Sequence, residues 1–179
     1  MENCNTLYKM TKQVTHIEVP DEWKITNDWD SHRPLLYLGV ENSRDMVFEF
    51  GCGNGSTQLL RNYCFGKKNF ISFETNKEWA KKIGSQSEGF KTYLQLNNLP
   101  KLGLLFIDSA PAEERKYLIA KHGFSAEIII VHDTEEGAEY VYHLKEILST
   151  FKYRLDFKPE GMPHTTAVSN FIDVTKWIE

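Results

Sequence analysis

The 179-residue chain reads as an α/β protein built on a doubly wound, mostly parallel sheet, and three observations point there. Short apolar runs alternate with segments whose apolar residues recur at helical spacing, the pattern of buried strands crossed over by helices. One of those strands, Met46-Val47-Phe48, runs through Glu49-Phe50-Gly51-Cys52-Gly53-Asn54-Gly55 directly into a helical pattern. Polar residues gather where strands end: Glu49, Glu74, Asn97 and Asn98, Asp108, and His132 with Asp133. In an open α/β sheet ligands bind beyond the carboxyl ends of the strands, so these tips form the candidate site.

The elements follow in order. Residues 1–44 read as an N-terminal arm or lid, with a lid or acceptor-pocket role for the stretch from Trp23 through Trp29 to His32; residues 45–179 are the core of one domain spanning 1–179. Ser56-Thr57-Gln58-Leu59-Leu60 opens the first core helix, and residues 69–73 form a second strand closed by Glu74. Thr75 and Glu78 have capping-box spacing ahead of a helix carrying Trp79, Ala80 and Ile83 and stopped by Gly84. Residues 91–96 alternate like a strand, and residues 102–107 form a continuous apolar run like a buried parallel strand. About five residues separate these two strands, whereas a parallel crossover takes a dozen or more, so the helix between strands three and four is expected to be missing.

Pro111 at a first helical position, Glu113 and Glu114 in the first turn, Lys121 and His122 in the last and Gly123 beyond mark the next helix. Residues 126–131 form another buried strand. Val141, Leu144, Leu148 and Phe151 predict one helix over 138–151, and strands at 153–157 and 165–172 finish the chain. Trp79 and Tyr142, both at helical spacing, read as sheet-packing architecture.

Charge narrows the function classes. Lys plus Arg is 21 and Asp plus Glu is 25, a formal net charge of -4, so the chain lacks the basic excess expected of a nucleic-acid partner. Met1-Glu2-Asn3-Cys4-Asn5 has neither a basic nor an apolar leader, and no window approaches the roughly 20 apolar residues of a membrane helix. Three cysteines, Cys4, Cys52 and Cys64, lack paired metal-type spacing, which fits a reduced cytoplasmic setting; Cys52 reads as loop packing. A homo-oligomer is compatible with the composition, which decides nothing about it.

The glycine segment carries the chemistry. Glycine lets a backbone turn sharply and lets a ligand approach where a Cβ would stand, while a helix N-terminus offers unpaired N–H groups. Gly51, Gly53 and Gly55 follow G-x-G-x-G, with Ser56 where the dinucleotide fingerprint has its third glycine and with Glu49 two residues ahead. Glu74, nineteen residues after Gly55, is placed to accept both hydroxyls of a ribose. At these residues the chain resembles the class I S-adenosylmethionine-dependent methyltransferases. The resemblance implies a Rossmann-like sheet of seven strands in the order 3-2-1-4-5-7-6 with an antiparallel last strand, over roughly residues 45–173. It also implies S-adenosyl-L-methionine as cofactor, held by Glu49, Gly51, Gly53, Gly55, Ser56, Glu74, Asn97 and Asp108.

Ile107-Asp108-Ser109-Ala110-Pro111 and Val131-His132-Asp133-Thr134 resemble the matching segments of small-molecule O-methyltransferases that act on sugars and natural products. In the metal-dependent branch, acids at these two tips and a following Asn bind Mg²⁺. Here Asp108 and Asp133 supply the acids and Thr134 replaces the Asn, which leaves the metal open. Without metal, Asp133 or His132 could take the proton from a hydroxyl acceptor, so Asp108, His132 and Asp133 are the candidate catalytic residues. Asp108 can equally cap the helix near Pro111, and His32 and His164 read as loop residues. The expected function is methyl transfer to a hydroxyl of a small-molecule acceptor. The alternatives are an NAD(P)-dependent oxidoreductase on a similar sheet and a protein that binds the cofactor without turnover.

Overall fold

The computed structural model describes residues 9–44, 46–84, 101–111 and 113–178. Seven strands among them form one sheet: β1 (Met10–Val14), β2 (Met46–Phe50), β3 (Asn69–Phe73), β4 (Leu102–Ile107), β5 (Ala126–His132), β6 (Tyr153–Phe157) and β7 (Thr165–Ser169). Their order is β1-β6-β7-β5-β4-β2-β3. β7 runs antiparallel to β5 and β6, and the remaining neighbours are parallel. This is the doubly wound α/β fold with an antiparallel last strand that the sequence predicts. Leaving out β1, the order matches the expected one from its second strand to its sixth. The expected strand at 91–96, Asn97 and the crossover before β4 lie outside the described residues.

Six helices among the described residues flank the sheet: α1 (Arg33–Asn42), α2 (Thr57–Cys64), α3 (Lys77–Ile83), α4 (Glu113–His122), α5 (Glu139–Tyr142) and α6 (Lys145–Leu148). Side chains alternate between the faces of a strand, so β2 and β4 feed two cores. Val47, Leu104 and Phe106 pack on one face with Leu35, Leu36 and Val40 of α1 and Leu60 of α2. Phe48, Phe50, Leu105 and Ile107 pack on the other with Leu118 and Ile119 of α4 and Leu148 of α6. Each such buried side chain stabilises by roughly 1.5–3 kcal/mol.

Several details differ from expectation, among them the last strand, which ends at Ser169 rather than at 172. The arm contributes β1, a half-exposed strand pairing in parallel with β6, and the helix α1. Trp23 is buried beside Tyr37 and Tyr63, ring centroids 5.5 and 6.0 Å away, and so belongs to the core rather than to a lid. Asn76, not Thr75, caps α3 by accepting the Trp79 N–H at 3.1 Å. The single helix expected over 138–151 is two short ones, because His143 takes a left-handed φ of 50° between them.

Register sets the site. Phe50 pairs with Phe73 and Ile107, and Ile107 pairs with Val131, so β3, β2, β4 and β5 deliver their carboxyl ends side by side. Among the described residues no helix is long and apolar enough to cross a membrane.

Candidate active site

The glycine loop is braced from below. Gly51 has φ 86°, and a Cβ there would lie 2.2 Å from the Asp108 carbonyl oxygen, so the β2 tip and the β4 tip close on each other only over glycine. The Gly53 N–H donates to Thr57 Oγ1 at 2.9 Å, and Thr57 Oγ1 donates to Glu49 Oε2 at 2.8 Å. Ser56 and Ser72 also donate to the Glu49 carboxylate, each at 2.5 Å. Glu49 is fully buried; burial pushes its carboxyl up to about 7, against the pull of the three hydroxyls. It therefore lies beneath the loop and reaches it through side chains of α2.

Glu74 closes β3 with its carboxylate turned to the loop: Oε2 accepts the Cys52 N–H at 3.3 Å and Oε1 accepts the Asn76 N–H at 2.8 Å. Trp79 donates from Nε1 to the Cys52 carbonyl at 2.7 Å. On the other side, Arg33 ties the arm to the loop, donating to the Gly55 carbonyl at 2.9 Å and pairing with buried Asp30 at 2.9 Å.

Above the loop is a cavity of about 390 Å³ lined by Gly53, Asn54, Gly55, Ser56, Cys52, Trp29, Trp79, His32 and Asp108. This is within the range of roughly 300–1,000 Å³ usual for small-ligand pockets. A second cavity of about 430 Å³ is lined by Asp108, Arg115, His132, Asp133, Tyr142, Trp29, Asp28 and Pro163. Trp29, 87% exposed, and Asp108 line both. The two chambers thus meet at one carboxylate and one indole.

The floor of the second cavity is an ion cluster centred on Arg115. This residue lies in the first turn of α4, and helical side chains lean back toward the N-terminus, which carries its guanidinium to the strand tips. Nε donates to the Ser109 carbonyl at 2.8 Å and Nη1 to the His132 carbonyl at 2.7 Å. Nη2 lies 3.1 Å from Asp108 Oδ1 and 3.2 Å from Asp133 Oδ2. The Tyr142 ring covers the guanidinium at 4.1 Å. Asp133 holds a left-handed φ of 56°, a region that Asp enters more readily than most residues with a side chain, and its carboxylate meets Arg115 there.

His132 is buried with both ring nitrogens engaged. Nε2 lies 2.9 Å from Ser31 Oγ, and the single Ser31 hydroxyl proton goes to the Pro163 carbonyl at 3.0 Å, so the imidazole is the donor there. Nδ1 lies 3.4 Å from both Asp108 Oδ1 and Asp133 Oδ1 and must carry a proton as well. Burial opposes that charge, but the Asp108 bond and the two carboxylates outweigh it and hold the His132 pKa above its ordinary value. Burial would likewise raise Asp108; its bond to His132 and the charges of His132 and Arg115 hold it below the usual carboxylate range instead.

His32 is the opposite case. It is 2% exposed, edge-on to His132 with centroids 4.9 Å apart, and neither ring nitrogen has a hydrogen-bond partner among the described residues. Burial, reinforced by the His132 charge, pushes it down to about 3, so it is neutral. A buried imidazole without partners is an exception to the rule that buried polar groups are hydrogen-bonded, and it lines the loop cavity.

The structure therefore brings Gly53, Gly55, Ser56, Asp108, His132 and Asp133 to two joined cavities, with Gly51 and Glu49 supporting the loop and Glu74 beside it. His164 lines neither cavity. Arg115, Trp79, Tyr142 and His32 do; sequence reasoning passed over Arg115, read Trp79 and Tyr142 as architecture, and gave His32 both a loop reading and, within the stretch from Trp23, a lid or acceptor-pocket role. The Mg²⁺ that the sequence leaves open does not fit between Asp108 and Asp133: the space is bridged by a guanidinium, and Thr134 turns away to bond Thr166 Oγ1 at 2.8 Å.

No family model and no curated protein matches the sequence. Solved structures do match the fold. The chain aligns with the N-terminal domain of human METTL16 in complex with S-adenosylhomocysteine at TM-score 0.52 and 12% identity, over 87% of this chain and 76% of that one. It aligns with the O-methyltransferase TomG from Streptomyces achromogenes, a protein of tomaymycin synthesis solved with S-adenosylmethionine, at TM-score 0.50 and 12% identity, over 86% and 91%. It also aligns with the bifunctional kinase-methyltransferase WbdD at TM-score 0.56 and 12% identity, over 90% of this chain and 44% of that one. The chain has the Rossmann-like fold of the class I S-adenosylmethionine-dependent methyltransferases.

Proposed function

We propose that the chain binds S-adenosylmethionine over the glycine loop and transfers its methyl group to an oxygen of a small hydroxylated acceptor in the adjoining cavity. The observation that carries this reading is the junction of the two cavities at Asp108 and Trp29. A donor above Gly53 and an acceptor above Arg115 would face each other there. Two features support a fit to the cofactor: a Cβ at Gly53 would meet nothing closer than 3.8 Å, leaving its backbone open to close approach, and His32 presents unpartnered nitrogens.

When bound, the sulfonium supplies an electrophilic methyl group. The protein's share is to align the acceptor and exclude water. Gly53, Gly55 and Ser56 would hold the cofactor while its methyl group goes to the acceptor oxygen, which leaves it as the thioether. The hydroxyl proton becomes strongly acidic as the oxygen bonds carbon and only then passes to Asp108, a weak base whose Oδ2 has no partner among the described residues while Oδ1 is held by Arg115 and His132. His132, already protonated on both nitrogens, positions the two acids and is not the base. The net charge of -4 favours a small acceptor over a nucleic acid.

Calorimetry with S-adenosylmethionine, S-adenosylhomocysteine and NAD, followed by a labelled-methyl assay across sugars, phenols and RNA, tests the reading. Uptake of the first two and label in a small hydroxyl compound is the expected result. NAD uptake alone would replace it with an oxidoreductase, label in RNA would overturn the small acceptor, and binding with no transfer to any acceptor would make the chain a cofactor-binding protein.

A further inference from the structure

We propose that Arg115 is the resident cation of the acceptor cavity, standing between Asp108 and Asp133 where a divalent ion would otherwise bridge them, so that the site works without metal. The acceptor part of this inference rests on the methyl-transfer reading above; the cation part rests on geometry alone.

Two carboxylates at neighbouring strand tips repel each other unless a cation lies between them, and the nature of that cation decides the chemistry of the cavity. Arg115 is 3% exposed and is held at every part of its guanidinium: by the Ser109 and His132 carbonyls, by both carboxylates, and by the Tyr142 ring. It cannot leave by deprotonation, since guanidinium stays charged across the accessible pH range. His132, protonated against the same two acids, adds a second positive charge within 3.4 Å of each. A divalent ion bridging the two acids would have to enter between two cations and strip one carboxylate oxygen from each, with no third protein ligand from Thr134; His32, Asp108 and His132 have ligand atoms within 4.8 Å of one another, but His132 could serve such an ion only by giving up a proton. Nη2 alone serves both acids, at 3.1 and 3.2 Å, while Arg115 still lines the cavity, so an acceptor hydroxyl giving up its proton there would lie beside a fixed positive charge.

The test is Mn²⁺ binding, read by electron paramagnetic resonance and by thermal shift, on the wild type and two variants. The wild type is expected to take up no Mn²⁺ at this site, and a chelator is expected to leave its methyl transfer unchanged. Arg115→Ala vacates the space and is expected to bind one Mn²⁺ at least tenfold more tightly than the wild type, a gain abolished by adding Asp133→Asn. Should Arg115→Ala be too unstable to study alone, a rise in its Tm with Mn²⁺ that the double variant lacks carries the same information. Arg115→Lys keeps a charge but not the fork; it is expected to bind no Mn²⁺ and to keep cofactor binding while the acceptor KM rises.

A wild type that binds Mn²⁺ as tightly as Arg115→Ala, or that loses activity to a chelator and regains it with Mg²⁺, overturns the inference. So does an Arg115→Ala protein indifferent to Mn²⁺. The titrations need no cofactor, so failure of S-adenosylmethionine binding would sink the methyl-transfer reading and leave this result standing.

Discussion

His32 stands edge-on to His132, ring planes at 75°, and their surroundings push the two imidazoles in opposite directions. Asp108 and Asp133 hold the His132 pKa above its ordinary value against burial, whereas burial, followed by the charge of His132, pushes His32 down. Unfolded, His32 titrates near 6.5; folded, near 3. Between those values the unfolded chain holds the extra proton, so this group's contribution is complete above about pH 6.5 and is lost as pH falls toward 3. His32→Phe keeps a ring against Phe106 and removes the titration. Urea denaturation from pH 7 to pH 4 is expected to show the wild type losing stability more steeply than His32→Phe, by roughly 1.4 kcal/mol per pH unit over that window. Parallel curves would mean that His32 finds a proton-accepting partner in the folded protein.

Glu49 gives the opposite slope. Its folded pKa of about 7 lies above the ordinary 4.5, so the folded state holds the extra proton between those values. Its contribution is complete below about pH 4.5 and is lost as pH rises through 7. Glu49→Gln keeps the hydrogen-bonding shape without the charge, and the three hydroxyls can reorient toward it. Stability of Glu49→Gln is expected to be flatter from pH 5 to pH 8, overtaking the wild type at the upper end by on the order of 2–3 kcal/mol. Equal slopes in the two proteins would show the carboxylate to be ionised throughout, stabilised by Ser56, Thr57 and Ser72.

The difference between what was legible and what was not follows from which forces leave a mark in sequence. Residues 69–73, 102–107 and 153–157 are strands with the predicted bounds, because unbroken or alternating apolar runs ended by turn residues have one low-energy fate in a two-faced sheet. The glycine loop was legible because only glycine tolerates φ 86° against the Asp108 backbone. β1, Met-Thr-Lys-Gln-Val, buries too little on either face to show a period. The break at His143 was invisible because Val141, Leu144 and Leu148 keep helical spacing across it. Arg115 was the costliest omission: a charged residue in the first turn of a helix ordinarily faces water, and its burial depends on Asp108 and Asp133, seven residues before it and eighteen after it.

Trp29 offers a readout of the acceptor cavity separate from folding. Its side chain is 87% exposed yet lines both chambers, so its apolar face has nothing of the protein to lose. Trp29→Ala is expected to change stability by less than about 0.5 kcal/mol, as exposed substitutions do. An aromatic contact contributes roughly 0.5–1.5 kcal/mol, so the KM for the acceptor should rise about 2- to 13-fold. An unchanged KM would place the acceptor away from the junction of the cavities.

Gly51 and Gly53 separate the folding role of the loop from its binding role. At Gly51 an added Cβ would lie 2.2 Å from the Asp108 carbonyl oxygen, and φ is 86°. Neither backbone can yield without opening the β2–β4 junction, where the Asp108 N–H donates to the Phe50 carbonyl at 2.7 Å. Gly51→Ala is therefore expected to destabilise the fold by about 2 kcal/mol or more, seen as a fall in Tm. At Gly53 the nearest heavy atom to a new Cβ is Ser56 Oγ at 3.8 Å, an ordinary contact, and the backbone is not in the left-handed region. Gly53→Ala should keep Tm within a few degrees. Its methyl would project into the space over the loop, where the proposed donor has to approach the backbone, so S-adenosylmethionine affinity measured by calorimetry is expected to fall at least tenfold. If Gly53→Ala binds the cofactor as tightly as the wild type, the donor does not lie over the loop, and the division of labour between the two cavities has to be redrawn.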